Sequence, residues 1–422
     1  MKKTETTAAE AYARQTDESD PLARYRSQFH VPKTSQGEDC VYLTGNSLGL
    51  QPKKTAAYVQ QELDDWAKLG VEGHLHAKFP WLPYHENLTE QTARLVGALP
   101  SEVVVMNTLT VNLHLMMVSF YRPTKERFRI LIEGGAFPSD RYAVASQARF
   151  HGFDPAQAIT ELKPRAGEET LRPEDVLETI ERSGDQIALI LLGNVNYLTG
   201  QAFDVEAITR AGHSKGCKVG FDLAHGVGSL CLKLHEWGPD FAAWCSYKYL
   251  NGGPGALGGC FVHERHASRS DLPRFSGWWG HNKKTRFAMG PTFDPILGAE
   301  GWQLSNPPIF QMAALRASME IFDEATMPAI RKKGDLLLEF LERELDRSRR
   351  CRIITPRRSA ERGLHLSLKF QGRDTQGLVS EFSKAGVTVD FREPDVIRAA
   401  FAPLYCNFMD VVRFVKVLES HV

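Results

Sequence analysis

The stretch CKVGFDLAHGVGSLCLKLHEWGPDFAAWCSYKYLNGGPGALGG, residues 217–259, decides the fold. It carries two short apolar runs, Cys217 to Asp222 and Phe241 to Ser246, each the length of a buried strand. A Gly-rich turn holding His225 follows the first run, and Tyr247 and Lys248 follow the second. Asp222 and Lys248 therefore stand at the carboxyl ends of neighbouring strands, where ligand-binding groups project in open α/β sheets. The run Gly253-Pro254-Gly255-Ala256-Leu257-Gly258 matches GxGxxG. A dinucleotide loop needs a strand before that motif and a helix after it. Here a proline interrupts the motif and Gly259 to His263 reads as a strand. The run is taken as a loop that lets the backbone pass close to Lys248.

Working outward, short apolar runs alternate with helical patterns. Val103 to Met106 reads as a strand, with a helix from Thr110 to Tyr121. Phe128 to Glu133 is a strand, with a helix from Ser139 to Phe150. Pro173 opens another helix at a tolerated first-turn position. Ile187 to Leu192 is a buried strand, and Val205 to Lys215 a helix stopped by Gly216. This βαβα alternation predicts a mostly parallel sheet of the seven-stranded type, covered on both faces. The last hundred residues read as a smaller α+β unit. Ile330 to Asp346 is one long helix with Leu336, Leu337, Phe340, Leu341 and Leu345 at helical spacing. Leu364 to Phe370 alternates as a half-exposed strand, Val387 to Phe391 as a second, and Val396 to Ala400 is a third. The expected organisation is an N-terminal arm over 1–50 that docks on the small domain, a large α/β domain over 51–310, and a small C-terminal domain over 311–422.

Composition narrows the function. The 422 residues hold 51 basic and 51 acidic side chains, a net charge of zero, which argues against a nucleic-acid protein that binds through a basic face. The seven cysteines are scattered without a CxxC pair, so neither a disulfide framework nor a zinc finger is expected, and the setting reads as reducing. The N-terminus lacks the apolar core of a secretory signal, and Glu5, Glu10, Asp17, Glu18 and Asp20 make it too acidic for a transit peptide. The longest apolar run, Ile187 to Leu192, is far short of a membrane span. A cytoplasmic protein with no membrane partner is expected.

An aspartate and a lysine at neighbouring strand ends suit pyridoxal phosphate. The lysine forms the Schiff base, and the aspartate keeps the pyridine nitrogen protonated so that the ring accepts electrons. A phosphate needs donors, and Asn107-Thr108-Leu109-Thr110 opens a helix whose free N–H groups can bind an anion. Thr108 or Thr110 can also serve simply as the N-cap. Phe137, at another strand end, can stack on a flat ring or be a core residue before a capped helix. Gly277-Trp278-Trp279-Gly280-His281 puts two tryptophans in a loop, and a phosphate would satisfy an indole N–H. His74 and His76 form an HxH pair with no third ligand at suitable spacing, so no metal is expected.

Together these segments resemble the kynureninases, pyridoxal-phosphate enzymes of fold type I related to class V aminotransferases and cysteine desulfurases. The resemblance runs through YLTGNSLGLQ (42–51), MNTLTVNLH (106–114), AFPSD (136–140), GFDLAHGVG (220–228), WCSYKYLN (244–251), GWWGH (277–281), SNPPI (305–309), Arg398 and Pro403-Leu404-Tyr405. It implies Lys248 as the Schiff-base lysine, Asp222 on the pyridine nitrogen with His225 beside it, and Phe137 stacked on the ring. Leu109, Thr110, Tyr247 and Trp278 resemble the phosphate-binding set, and Asp140 lies close to the ring. Arg398 resembles the clamp for the substrate α-carboxylate. His74, Ser305 and Asn306 resemble residues at the aromatic end of the substrate pocket, with Asn306 also near the cofactor. His74 with Asn306 resembles the pocket of enzymes that prefer the 3-hydroxylated substrate. The strand end Gly193 to Tyr197 departs from the animal enzymes, which carry a serine near there. The implied reaction is hydrolysis of L-kynurenine or 3-hydroxy-L-kynurenine to anthranilate or 3-hydroxyanthranilate plus L-alanine. Lys248 would move the Cα proton and Tyr247 would carry a proton at the γ-carbonyl. A homodimer with sites at the subunit interface is implied, and a role in tryptophan catabolism or NAD biosynthesis. A cysteine desulfurase would need a catalytic cysteine on a mobile loop, for which only Cys351 and Cys406 lie beyond residue 300. A class V aminotransferase would need a keto-acid acceptor.

Overall fold

The computed structural model describes residues 7–269 and 271–422; the first six residues of the expected N-terminal arm lie outside them. Seven strands form the large sheet: β1 (Val103–Met106), β2 (Arg129–Glu133), β3 (Ile159–Leu162), β4 (Ile187–Gly193), β5 (Lys218–Asp222), β6 (Phe241–Cys245) and β7 (Gly258–Val262). Their spatial order is β1-β7-β6-β5-β4-β2-β3. All run the same way except β7, which is antiparallel to both β1 and β6. The near-continuous apolar runs follow from this, because helices cover both faces and strands such as β4 and β6 are buried along their length. The GxGxxG run leads into β7, as expected. Gly258 and Gly259 open that strand where a Cβ would strike the carbonyl and indole of Trp244 across the ladder.

The parallel strands deliver their carboxyl ends to one edge. There β1 passes through Asn107, in the left-handed region at φ 47°, into the helix Leu109–Phe120. β2 passes into the helix Pro138–Phe150.

A four-stranded antiparallel sheet lies in the C-terminal part, with β8 (Arg352–Ile353), β9 (His365–Lys369), β10 (Asp390–Arg392) and β11 (Val396–Ala400) in the order β10-β11-β9-β8. The expected half-exposed strand is instead almost wholly buried, with His365 and Ser367 as inaccessible as Leu366. The loop after β4 covers the second face: Ser367 Oγ donates to the Leu198 carbonyl, and Gly363 N–H donates to that of Gly200. Alternation marks two unlike faces but not whether the polar one meets water or a loop. The single strand expected over Val387 to Phe391 also divides. Val387–Thr388 pairs in parallel with Val41–Tyr42, while Asp390–Arg392 joins β11.

The long helix runs Met327–Ser348. Leu337, Phe340, Leu341 and Leu345 are buried as their spacing requires, but Leu336 is 39% exposed. The helices Thr55–Leu69 and Ile309–Ala325, which pack on each other, were not read from the sequence. N-terminal residues bind the C-terminal helix Phe408–His421. The Asp17 carboxylate accepts the N–H groups of Phe408 and Met409 at 2.8 and 3.0 Å, and Arg26 pairs with Asp410 at 2.7 Å. Among the described residues no helix is long and apolar enough to cross a membrane.

Candidate active site

A cavity opens where five of the parallel strands end. Its walls include Thr108, Leu109 and Thr110 after β1, Glu133 and Phe137 at the end of β2, and Gly193, Val195 and Tyr197 after β4. Asp222 and His225 after β5, and Tyr247 and Lys248 after β6, complete it. The turn carrying Lys248 is fixed from outside by the segment before Leu50. Gly49 N–H donates to the Tyr247 carbonyl at 2.8 Å, and a Cβ on Gly49 would collide with the Lys248 carbonyl and Asn251. The close approach explains the second glycine, Gly49, of the segment 42–51.

The Lys248 ammonium donates to His225 Nε2 at 3.1 Å and stands 5.9 Å from the centroids of the Phe137 and Tyr247 rings. Burial, then the charges of Lys248 and Arg398, hold His225 well below its ordinary pKa, so its ring is neutral. Its Nε2 accepts from the lysine, and its buried Nδ1 has no partner among the described residues. The Asp222 carboxylate accepts the Ala224 N–H at 2.7 Å and is buried beside Asp140. Burial followed by the Asp222 charge raises Asp140 well above the usual carboxylate range; burial also raises Asp222, opposed by Asp140 and Lys248. Burial raises Tyr247 as well.

The sequence reading missed a third buried carboxyl, Glu133, which ends β2 in the same cavity. Asn196 Nδ2 donates to its Oε2 at 2.7 Å. Burial pushes its pKa up to about 7, against the lowering effect of Asn196. The folded chain thus holds a proton that the unfolded chain releases near the ordinary value of 4.5. The resulting stability is complete below about pH 4.5 and is lost as pH rises through about 7. Glu133→Gln keeps an acceptor for Asn196 but cannot ionise. Its stability relative to wild type is expected to grow by about 1–3 kcal/mol between pH 5 and pH 8.5. Thermal midpoints of the two proteins across that range check this, and parallel curves would show that the carboxyl does not titrate there.

The anion-binding end is the helix Leu109–Phe120. Thr108 takes the N-cap position but its hydroxyl caps no N–H, leaving the first-turn amides free. The Thr110 hydroxyl meets that of Ser139 at 2.8 Å, a cavity-lining residue that the sequence reading placed only at a helix start. Phe137 is edge-on to Tyr197 at 5.3 Å.

Five sequence candidates lie off the cavity of their own chain. Arg398 is only 1% exposed; its guanidinium is paired with both oxygens of Asp390 and with the Tyr197 carbonyl. Two of its five N–H groups are left for a carboxylate. Near it stands His365, a buried ring held neutral by burial and edge-on to His225 at 5.7 Å, with neither nitrogen bonded among the described residues. His74 packs edge-on to Trp81, its buried Nδ1 unpartnered. Ser305 and Asn306 are exposed. Trp278 is 40% exposed and donates its indole N–H to the Arg286 carbonyl rather than to anything in the cavity. Cys351 and Cys406 do not line the cavity, and burial pushes each up to about 12.

The donor set fits pyridoxal phosphate. Asp222 and Asp140 set two buried carboxyls side by side, a site that suits a protonated pyridine nitrogen. The amine, the free face of Phe137 and a helix N-terminus supply the remaining contacts. Together with the strand order, this defines a pyridoxal-phosphate enzyme of fold type I. The fold is shared with solved structures of low sequence identity. A cysteine desulfurase from Thermococcus onnurineus NA1 matches with a TM-score of 0.74 at 17% identity, over 91% of this chain and 94% of that one. A C-DES mutant with glycine covalently linked to its PLP cofactor matches with a TM-score of 0.78 at 16% identity, over 93% of this chain and 98% of that one.

Within that class the chain belongs to the kynureninase family. Kynureninase from Myxococcus xanthus is 66% identical over 98% of this chain and 97% of its own length. That of Koribacter versatilis is 61% identical over 96% of each. The kynureninase C-terminal domain model matches residues 330–418.

Proposed function

We propose that this chain hydrolyses the Cβ–Cγ bond of L-kynurenine, or of its 3-hydroxy form, releasing anthranilate or 3-hydroxyanthranilate and L-alanine. The observation that carries the reading is the cavity that joins Lys248, His225, Asp222 and Asp140 in a chain 66% identical to a kynureninase. Bound pyridoxal phosphate supplies an electron sink for charge developing at the substrate Cα.

The residues divide the remaining work. Asp222, with Asp140 against it, holds the proton on the pyridine nitrogen. Phe137 fixes the plane of the ring. The amides of Leu109 and Thr110 and the hydroxyls of Thr110 and Ser139 hold the phosphate. Lys248 moves the proton at Cα, with neutral His225 as the acceptor that orients its amine. Tyr247, raised by burial and therefore protonated at neutral pH, carries a proton to the γ-carbonyl oxygen as water adds. Arg398, held rigid by Asp390, offers its two remaining N–H groups to the α-carboxylate.

His74, Trp278, Ser305 and Asn306 serve the cavity of a second copy in a homodimer. In support, they lie outside their own cavity, and Trp278 sits with the exposed Phe287 and Met289. Such apolar exposure marks an interaction surface. His74 with Asn306 would favour the 3-hydroxylated substrate. Residues 51–310 and 311–422 form the large and small domains, with 1–50 as an arm on the second. The protein would be cytoplasmic and act in tryptophan breakdown or NAD synthesis.

The test is product analysis. Incubated with L-kynurenine and no keto acid, the protein should release anthranilate and alanine in equal amounts, and kcat/KM on the two substrates ranks them. Dependence of turnover on a keto acid, or sulfur release from cysteine, would replace this reading with an aminotransferase or a desulfurase.

A further inference from the structure

At the sheet edge opposite the cavity, three side chains that the reaction does not use converge. Glu102 ends the turn before β1, His235 lies in the helical turn Leu234–Trp237, and His263 follows β7. Glu102 is wholly buried, and the two histidines are half-buried. Glu102 Oε1 lies 3.1 Å from His235 Nδ1 and 3.7 Å from His263 Nδ1, and the three atoms all fall within 4.8 Å of one another. A tetrahedral Zn2+ with bonds of about 2.0–2.1 Å sets its ligand atoms about 3.3 Å apart.

The hydrogen bonds there join Glu102 to His235 but not to His263. His235 Nδ1 can donate to Glu102. His263 Nδ1 cannot, because it accepts the Arg265 N–H at 3.2 Å and is therefore the lone-pair nitrogen of its ring. Glu102 Oε1 is also an acceptor, already receiving the Glu264 N–H at 2.8 Å. No hydrogen bond therefore links Glu102 to His263, although Oε1 and Nδ1 lie 3.7 Å apart. The groups are also held in place. Leu99 N–H fixes the other Glu102 oxygen at 2.9 Å, and the two imidazoles stack at 5.4 Å and 17°. The Arg265 guanidinium is drawn aside to the Gly238 carbonyl and Asp240.

We propose that Glu102, His235 and His263 form a divalent transition-metal site, suited to Zn2+ by its two imidazoles and one carboxylate, with water as fourth ligand. The metal takes the lone pair of each Nδ1, displacing the Arg265 N–H from that of His263. The hydrogen on His235 Nδ1 moves to Nε2 through solvent, so neither imidazole loses a net proton. The metal would staple β1, β7 and the turn Leu234–Trp237 at a strand's length from the cavity. The sequence reading expected no metal and weighed only the His74–His76 pair, so this site departs from it.

Holoenzyme stripped with a chelator and titrated with Zn2+ alone should bind one ion per chain at micromolar or lower Kd. His263→Ala and His235→Asn should each weaken that affinity at least about tenfold, while His213→Ala, in the neighbouring Asp240 cluster, should leave it unchanged. Zn2+ should raise the thermal midpoint of wild type and not that of His263→Ala. His235 is partly exposed, so its variant should fold even where His263→Ala does not. No stoichiometric uptake by wild type, or unchanged affinity in His235→Asn, overturns the proposal.

Discussion

Lys248→Ala is expected to leave a folded protein that forms no borohydride-reducible linkage with its cofactor and turns over at least about 10³-fold more slowly. The Lys248 amine touches His225 Nε2 and two ring faces, so truncation orphans only one neutral acceptor. That costs about 1–2 kcal/mol of stability, too little to unfold a chain with this much core. The loss is therefore chemical. A second consequence separates charge from nucleophilicity. Lys248 is the cation that holds down Asp222 and Asp140, so its removal drives both carboxyls further toward the protonated form. Lys248→Arg restores that charge but cannot form the linkage. If the reading is right, Arg recovers the pH behaviour of the carboxylates without recovering turnover. A linkage that persists in Lys248→Ala would move the Schiff base to another lysine. The same variant probes the dimer. Mixed with Asn306→Ala subunits, it should recover about a quarter of wild-type activity, because half the dimers are hybrids and each hybrid has one intact site.

The parts of this site that a sequence can show are those that strand order alone brings together. Asp222 and Lys248 end adjacent strands, so two apolar runs and their terminal residues suffice to place them side by side. Leu109 and Thr110 are placed by a strand running into a helix, and Phe137 likewise. Glu133 escaped because it reads as the polar end of FRILIE. Only the pairing of β2 with β4, which brings Asn196 onto its carboxyl, shows that it faces the cavity rather than water. Ser139 escaped because a serine after proline at a helix start is accounted for by local structure. His365 was misplaced because the loop through Leu198 and Gly200 covers a strand face that alternation alone assigns to solvent. Arg398 carries the opposite lesson. Its identity was legible through resemblance, but its clamp on Asp390 was not, since that contact crosses a strand pair set by the register of β10 with β11.

Asp222→Asn should lower kcat by about 10²-fold or more with KM nearly unchanged. The amide keeps the shape of the side chain and the bond from Ala224 N–H, made at 2.7 Å, so the local fold survives. What it removes is the negative charge that holds a proton on the pyridine nitrogen. That charge matters most when electrons flow toward the ring, so the loss falls on the transition state rather than on substrate binding. Asp140 complicates the result in a checkable way. Burial and then Asp222 keep its carboxyl well above the usual range, partly by repulsion and a shared hydrogen bond. In Asp222→Asn both contributions fall, Asp140 ionises more readily, and it becomes a substitute anion beside the ring. Removing both, in Asp140→Asn/Asp222→Asn, should therefore cost more than the product of the two single effects. Steady-state kinetics with the cofactor's absorbance across pH separates these terms. A kcat within about threefold of wild type in Asp222→Asn would take the pyridine contact away from Asp222. A double variant no worse than the product would leave Asp140 with a purely structural place beside it.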